Sequence, residues 1–399
     1  PRKGRAMSNQ KTLPYEGIRI VEFTHMVMGP TCGMVLGDLG AEVIKVEPID
    51  GDKTRSLVGS GAGFFPMFNR NKKSVRLDLK QEAGREVLHK LLEHADAVFN
   101  NLRGDLPAKL GLTYDALKHI RKDIVCVHLS AYGRDGERAN WPGYDYLMQA
   151  EAGYLSLTGE PDGPPSRFGL SMIDLMTGTT AALGLVSAVL GARQTGVGRD
   201  VDCSLFDVAM HNLAYLATWY LNGSHMTGRA PRSGHPSLVP SQLYPTKDGW
   251  IFIMCNKEKF WPILATELGK PEWATRVEYS SYKNRLENRE QFNADIDSVM
   301  VKDTTANWMK KFAGKVPASP VYDVAQALDN PFVHSRQGVV TTRTPEGKEI
   351  LGVASPLRCS GDSAPLRAAP AMGADTNALL SQAGFSEQQI AFLREHAVI

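Results

Sequence analysis

Cysteine is scarce and poorly placed for bridging. The five residues, Cys32, Cys126, Cys203, Cys255 and Cys359, are odd in number, widely spread and form no Cys-x-x-Cys pair. This excludes a disulfide framework and a cysteine zinc site, and predicts a reducing compartment. The ten histidines contain no His-x-x-x-His pair, so no metal is expected. Net charge is also nearly absent: 45 Lys and Arg against 43 Asp and Glu leave +2, which suggests neither a nucleic-acid nor an anionic-membrane partner. The longest apolar run, near 181–192, falls short of the roughly 20 residues of a membrane span. No signal-peptide pattern opens the chain, and Pro1–Ala6 before Met7 reads as a vector remnant. Gly-x-Ser-x-Gly, Walker A and His-Glu-x-x-His motifs are all missing. These absences leave a cytoplasmic protein of enzyme size.

What is there reads as α/β. At 399 residues, 43% of them apolar, the chain exceeds what one core usually fills, so two domains are expected. Residues 18–23 alternate as a strand, 31–39 read as a helix closed by Gly40, and 41–47 form a second strand: a βαβ unit and the start of a parallel sheet. Strands over 74–79, 97–100, 124–129 and 199–205 follow, with helices over 81–93, 114–120 and 174–193 between them. Near 222–241 Gly, Pro and polar residues cluster as a linker or functional loop. Thr246-Lys247-Asp248-Gly249 is a hairpin signal between 242–245 and 250–254, and helical patterns run from 257 to about 313. An α/β-like tail from about 318 ends in a helix whose Ser386 and Gln389 fit a capping box.

One acidic residue stands out. Asp174 lies alone among apolar neighbours where a helix of small residues begins. There a carboxylate faces the positive end of the helix dipole and unpartnered N–H groups, which predicts that it stays ionised with little water around it. Such a group is a nucleophile, although an N-cap gives the same pattern. The first βαβ turn, Met28-Gly29-Pro30-Thr31-Cys32-Gly33, is not Gly-x-Gly-x-x-Gly, which argues against a dinucleotide although Glu47 ends the second strand. Five cations within 69–80 suit either a solvated basic turn or contact with a polyanion, and Arg103 and Lys109 follow another strand end. His235 in its polar loop is a candidate site residue, and Tyr144-Asp145 sits where a turn enters a helix.

Taken in order along the chain, these segments resemble the class III CoA-transferases, whose superfamily includes formyl-CoA transferase, carnitine CoA-transferase and α-methylacyl-CoA racemase. The similar stretches are 17–25, 37–47, 69–74, 77–80, Pro142-Gly143-Tyr144-Asp145, Asp174-Leu175-Met176-Thr177-Gly178, 194–202 and 370–376. The resemblance implies a Rossmann-like large domain built from both chain ends, an inserted smaller α+β domain, and an interlocked homodimer. Laid on the composition break, it gives a large CoA-binding domain over 7–215, a linker over 216–241, a small domain over 242–318 and a return to the large domain over 319–399.

In such enzymes one Asp, here Asp174, attacks an acyl-CoA thioester. An aspartyl–acyl mixed anhydride and an aspartyl-CoA thioester then carry CoA to an acceptor carboxylate, with N–H groups at the helix start available to the oxyanions. The family's CoA contacts fall on Met26, Val27, Leu77, Lys80, Asn101, Leu102, Arg103, Lys109, Tyr144 and Asp145. No cofactor is bound permanently; acyl-CoA is substrate, and the partners are a small acid and a second copy of the chain. Two departures narrow the reading. Racemases carry a His where Tyr144 stands, and a Tyr is a poor general base at neutral pH. Formyl-CoA transferase carries a glycine run where Gly234–Pro240 stands. The expected activity is CoA transfer to a small dicarboxylic acid; the alternatives are α-methylacyl-CoA racemisation and formyl-CoA:oxalate-type transfer.

Overall fold

The computed structural model describes residues 13–359 and 366–399. The reading of Pro1–Ala6 as a vector remnant therefore lies outside the described residues. The chain falls into two compact units: one takes in residues up to Ala152, Phe168–Thr218 and Ser335–Ile399, the other Gly153–Arg167 and Trp219–His334.

The first unit is built on a six-stranded parallel sheet of order β3-β2-β1-β4-β5-β6. Its strands are β1 (Arg19–Phe23), β2 (Glu42–Glu47), β3 (Lys72–Arg76), β4 (Ala97–Asn100), β5 (Val125–Ser130) and β6 (Arg199–Ser204). The order reverses between β1 and β4, which is where a doubly wound sheet opens a crevice at its carboxyl edge. β4 and β5 are buried along their whole length, as expected of parallel strands covered on both faces. β3 starts and ends earlier than the sequence predicts. Its Lys72 is buried against Glu22, so a charged residue sits on a core face and masks the pattern.

The first helix, Met28–Asp38, begins three residues before its expected start, because Pro30 falls in the first turn, where no N–H is required. It lies very close to the sheet: a Cβ on Gly33 would come 2.0 Å from Glu22 Oε2. The long helix, Met172–Thr195, ends at Gly196, whose φ of +70° closes it in the left-handed region. By length and composition it could cross a membrane. Here it packs on the first helix and on β5 and β6, the place of a core helix. Its Gly178 marks the closest approach, since a Cβ there would stand 2.5 Å from the Met28 carbonyl oxygen.

The tail returns to this unit as a hairpin of β10 (Val339–Arg343) and β11 (Glu349–Val353), then as helices Thr376–Gln382 and Glu387–Glu395. Ser386 and Gln389 form the expected capping box. Leu379, Leu380, Ile390 and Leu393 bury in the core that β1, β2 and β4 share with the helix Glu82–Leu92. Each such side chain contributes about 1.5–3 kcal/mol of burial.

The second unit holds an antiparallel sheet of order β7-β8-β9, made of β7 (Ser241–Pro245), β8 (Trp250–Met254) and β9 (Ala318–Pro320). Thr246–Gly249 turns the hairpin, with Thr246 N–H donating to Gly249 at 2.9 Å. Tyr244, Trp261, Tyr279 and Phe292 centre its core. Two stretches that the sequence predicts for the large domain group here instead. Arg229 Nη1 donates to the carbonyls of Glu160, Gly163 and Pro164, which ties in 153–167, and β9 pairs with β8, which carries the unit to residue 334.

Candidate active site

A cavity of about 620 Å³ opens in the first unit where the loops after β1 and β4 meet. It is lined by His25, Met26 and Val27, by Asn101, Leu102 and Arg103, and by Tyr144, Asp145 and Asp174. Asn101 joins the two loops: its Oδ1 accepts from His25 N–H at 3.1 Å and its Nδ2 donates to the His25 carbonyl at 2.8 Å. Met26 follows in the left-handed region at φ +64°, which turns the chain into the first helix.

Asp174 is the third residue of the long helix and is partly exposed. It is not the cap: Ser171 precedes the helix, and the carboxylate that serves its N-terminus is Asp145. Asp145 Oδ2 accepts from Asp174 N–H at 2.9 Å, and Oδ1 accepts from Gln149 Nε2. The expectation that the helix start keeps Asp174 ionised is therefore corrected. Burial, reinforced by the neighbouring Asp145 charge, pushes its carboxyl up to about 7. The helix's N–H groups are also largely committed, since Met172 donates to Leu170 and Asp174 to Asp145. That limits the oxyanion role expected for them.

Seven of the ten expected CoA residues line this cavity; Leu77, Lys80 and Lys109 do not. Leu77 is 2% exposed and its side chain belongs to the hydrophobic core. Lys80 is exposed, and Lys109 pairs with Asp105 at 2.7 Å on the surface. Tyr144, at the mouth, is 67% exposed. His235 lies in the second unit, where its Nδ1 accepts from Ser237 and Leu238 N–H at 3.1 Å each. Burial and Arg289 lower its pKa, and the ring ties its own loop together.

In the basic stretch 69–80, three of the five cations, Arg70, Lys72 and Lys73, are taken up by acids of the fold, whereas Lys80 is exposed. Lys72 Nζ, fully buried, donates to Glu22 at 2.8 Å and to Asn69 at 3.1 Å; burial pushes it down to about 8, against the pull of Glu22. Arg70 pairs with Asp38 and Lys73 with Glu42. Lys45, also buried, reaches Asp52 at 2.9 Å and the Thr24 carbonyl at 2.6 Å. Glu47, the acid at the end of β2, is taken up by Arg55, Ser74 Oγ and Asp52 N–H.

His25 is a titratable cavity residue absent from the expected CoA and catalytic set, alongside uncharged lining residues such as Ser130 and Trp141. Burial lowers its pKa, Asp52 opposes this and Lys45 adds to it. Its place directly after β1, at the carboxyl edge of the sheet, is the signal that could have found it. Among the described residues no cluster of three or more His, Cys, Asp or Glu could hold a metal ion.

CoA-transferase family III matches residues 15–376 of the chain. Acetyl-CoA:oxalate CoA-transferase of Acetobacter aceti is 32% identical over 359 residues, which covers 87% of this chain and 90% of the relative. Succinate–glutarate CoA-transferase of Agrobacterium fabrum is 31% identical over 381 residues, 90% of this chain and 92% of the relative. The crystal structure of a CAIB/BAIF family protein from Brucella suis matches with a TM-score of 0.82 at 30% identity, over 94% of this chain and 100% of that one. With the crevice, its loops and the carboxyl at the head of the long helix in place, the chain belongs to CoA-transferase family III.

Proposed function

We propose that this CoA-transferase moves CoA from an acyl-CoA thioester to a small dicarboxylic acid, with Asp174 as the covalent nucleophile. The observation that carries the reading is the placement of Asp174 in the same cavity as Met26, Val27, Asn101, Leu102, Arg103 and Tyr144. Asp174 attacks the thioester carbonyl, the C–S bond breaks, and CoA leaves as thiolate. The thiolate attacks the mixed anhydride at the Asp174 carbonyl and releases the first acid. The acceptor carboxylate then attacks the aspartyl-CoA thioester to give a second anhydride, and the thiolate returns to its acyl carbonyl, freeing Asp174. A carboxyl near 7 is about half ionised at neutral pH, and its reduced hydration favours attack.

The cavity suits the acyl-pantetheine end of the substrate. Arg103, Lys80 and Lys109, all exposed, are then assigned to the diphosphate and ribose phosphate beyond it. His235 is assigned to the substrate loop. Oxalate and the succinate–glutarate pair, named for the two relatives, are the support for a dicarboxylate. A homodimer is supported by Leu183 and Leu190, seven residues apart on the long helix and 70% and 59% exposed. Free cysteines support a reducing cytoplasm.

Racemisation keeps one supporting observation: an Asp174 carboxyl poised near neutral lines the same cavity as His25. The test is a panel of acyl-CoA donors and acids read by mass spectrometry in deuterated water, with wild type and Asp174→Ala. CoA exchange with a dicarboxylate, lost in the variant, is the expected result. Deuterium at the α-carbon without exchange would assign racemisation instead.

A further inference from the structure

Behind the cavity loop runs a buried hydrogen-bond relay that the mechanism does not use. Asn100 and His128 stand opposite each other on β4 and β5, at 0% and 1% exposure. Asn100 Oδ1 accepts from the N–H of Leu102 at 3.3 Å, so its amide nitrogen is the end that meets His128 Nδ1 at 3.0 Å. His128 Nε2 lies 2.7 Å from Asp200 Oδ1 on β6, which also accepts from Tyr114 N–H at 3.0 Å. Each contact fixes the next. An amide donating to Nδ1 requires a lone pair there, hence a proton on Nε2, and that proton is the one Asp200 accepts. The carboxylate selects the tautomer, the tautomer orients the amide, and the amide holds the backbone at Leu102.

We propose that His128 is a positioning residue for CoA binding: it acts through Asn100 to hold the segment Asn101–Arg103 at the cavity wall, with Asp200 setting its tautomer. The proposal rests on the reading of that segment as a CoA contact. It gives a reason for a buried imidazole in a β-strand core, where a branched apolar residue would pack at less cost. A hydrogen bond made to a loop rather than within the core affects the ligand that the loop holds. It leaves the Asp174 chemistry alone.

The experiment compares steady-state constants of the full-length enzyme with His128→Leu, Asn100→Leu, the double variant and His128→Asn, using a donor and acid that the wild type turns over. His128→Leu is expected to raise the KM for acyl-CoA about tenfold, with kcat and the KM for the acid within twofold of wild type. Asn100→Leu is expected to do the same, and the double variant to be no worse than either single, because both break one relay. His128→Asn keeps an acceptor near Nδ1 and is expected to recover most of the loss.

An unchanged acyl-CoA KM in folded His128→Leu overturns the proposal, as does a uniform loss in which kcat falls and neither KM moves. Arg103→Ala separates the two claims. A raised acyl-CoA KM there beside an unchanged one in His128→Leu overturns the relay; no change in Arg103→Ala overturns the loop's role in CoA binding. Should His128→Leu fail to fold, Asp200→Ala takes its place, because the Asp200 side chain is 30% exposed. It is expected to raise the same KM about threefold, and no rise there counts against the relay.

Discussion

In the first unit the carboxylates beneath β1–β3 each have a cation, whereas Asp174 at the head of the long helix has another carboxylate as its charged neighbour. Glu22 is held by Lys72 and Lys45, Asp52 by Lys45, and Glu47 by Arg55. Asp174 sits beside Asp145, and the helix N-terminus that would favour its charge is occupied by that same Asp145. The first group is charge taken out of water and compensated, which fixes the β1 edge and the loop it carries. The second is charge left under strain at a cavity wall, which is where a reacting group belongs. Burial alone does not distinguish these carboxylates; the presence or absence of a neighbouring cation does.

Substitutions sharpen the contrast, because the two regions answer with opposite signs. Asp174→Asn is expected to lower CoA transfer more than about thousandfold, since it removes the proposed nucleophile while keeping the side-chain shape. Residual transfer within tenfold of wild type in a quenched assay would break the comparison at its functional end. Lys72→Ala strips the nearer of two cations from a fully buried Glu22 and is expected to cost about 3–5 kcal/mol in denaturant unfolding. A loss under about 1 kcal/mol would show that the buried group is not compensated charge at all.

The same Asp174→Asn protein is expected to be more stable than wild type at pH 8, by about 1–3 kcal/mol after discounting for partial exposure. The sign follows from linkage. A carboxyl raised from 3.8 to about 7 holds its proton in the folded state while the unfolded chain has lost it. Its contribution to stability therefore falls as pH rises from about 4 to 7, and the full cost is present above that. In Asp174→Asn that decline disappears, which thermal unfolding across the window measures. The single-turnover rate runs the other way and is expected to rise through about pH 7 as the carboxylate forms. An effect of no greater size belongs to the packing of the long helix against the first. Gly178→Ala forces a methyl against the Met28 carbonyl and is expected to cost about 1–3 kcal/mol, with weaker acyl-CoA binding.

Much of the fold was legible because its signals are local. The apolar runs of β1, β2, β4 and β5 and the Ser386–Gln389 cap depend on neighbours within a few positions. The place of Asp174 at the start of a helix was legible for the same reason, as one acid before a run of small residues. What escaped depends on distant partners. Arg70 and Lys72 read as surface cations because their acids, Asp38 and Glu22, lie 32 and 50 positions away. The charge state of Asp174 was misread because Asp145, 29 positions earlier, takes the helix end. The stretch 153–167 was placed in the large domain because nothing local announces the carbonyls that meet Arg229. Leu77 came from a matching motif, and a motif does not say which side chains face a core.

The claim that the uncompensated carboxyl is the reacting group is tested most directly by peptide mass mapping. Enzyme is mixed with acyl-CoA, quenched in acid within one turnover and digested. The account predicts an acyl or CoA adduct on the Asp174 peptide, absent in Asp174→Asn. Turnover with that peptide unmodified, or an adduct on another residue, would contradict it.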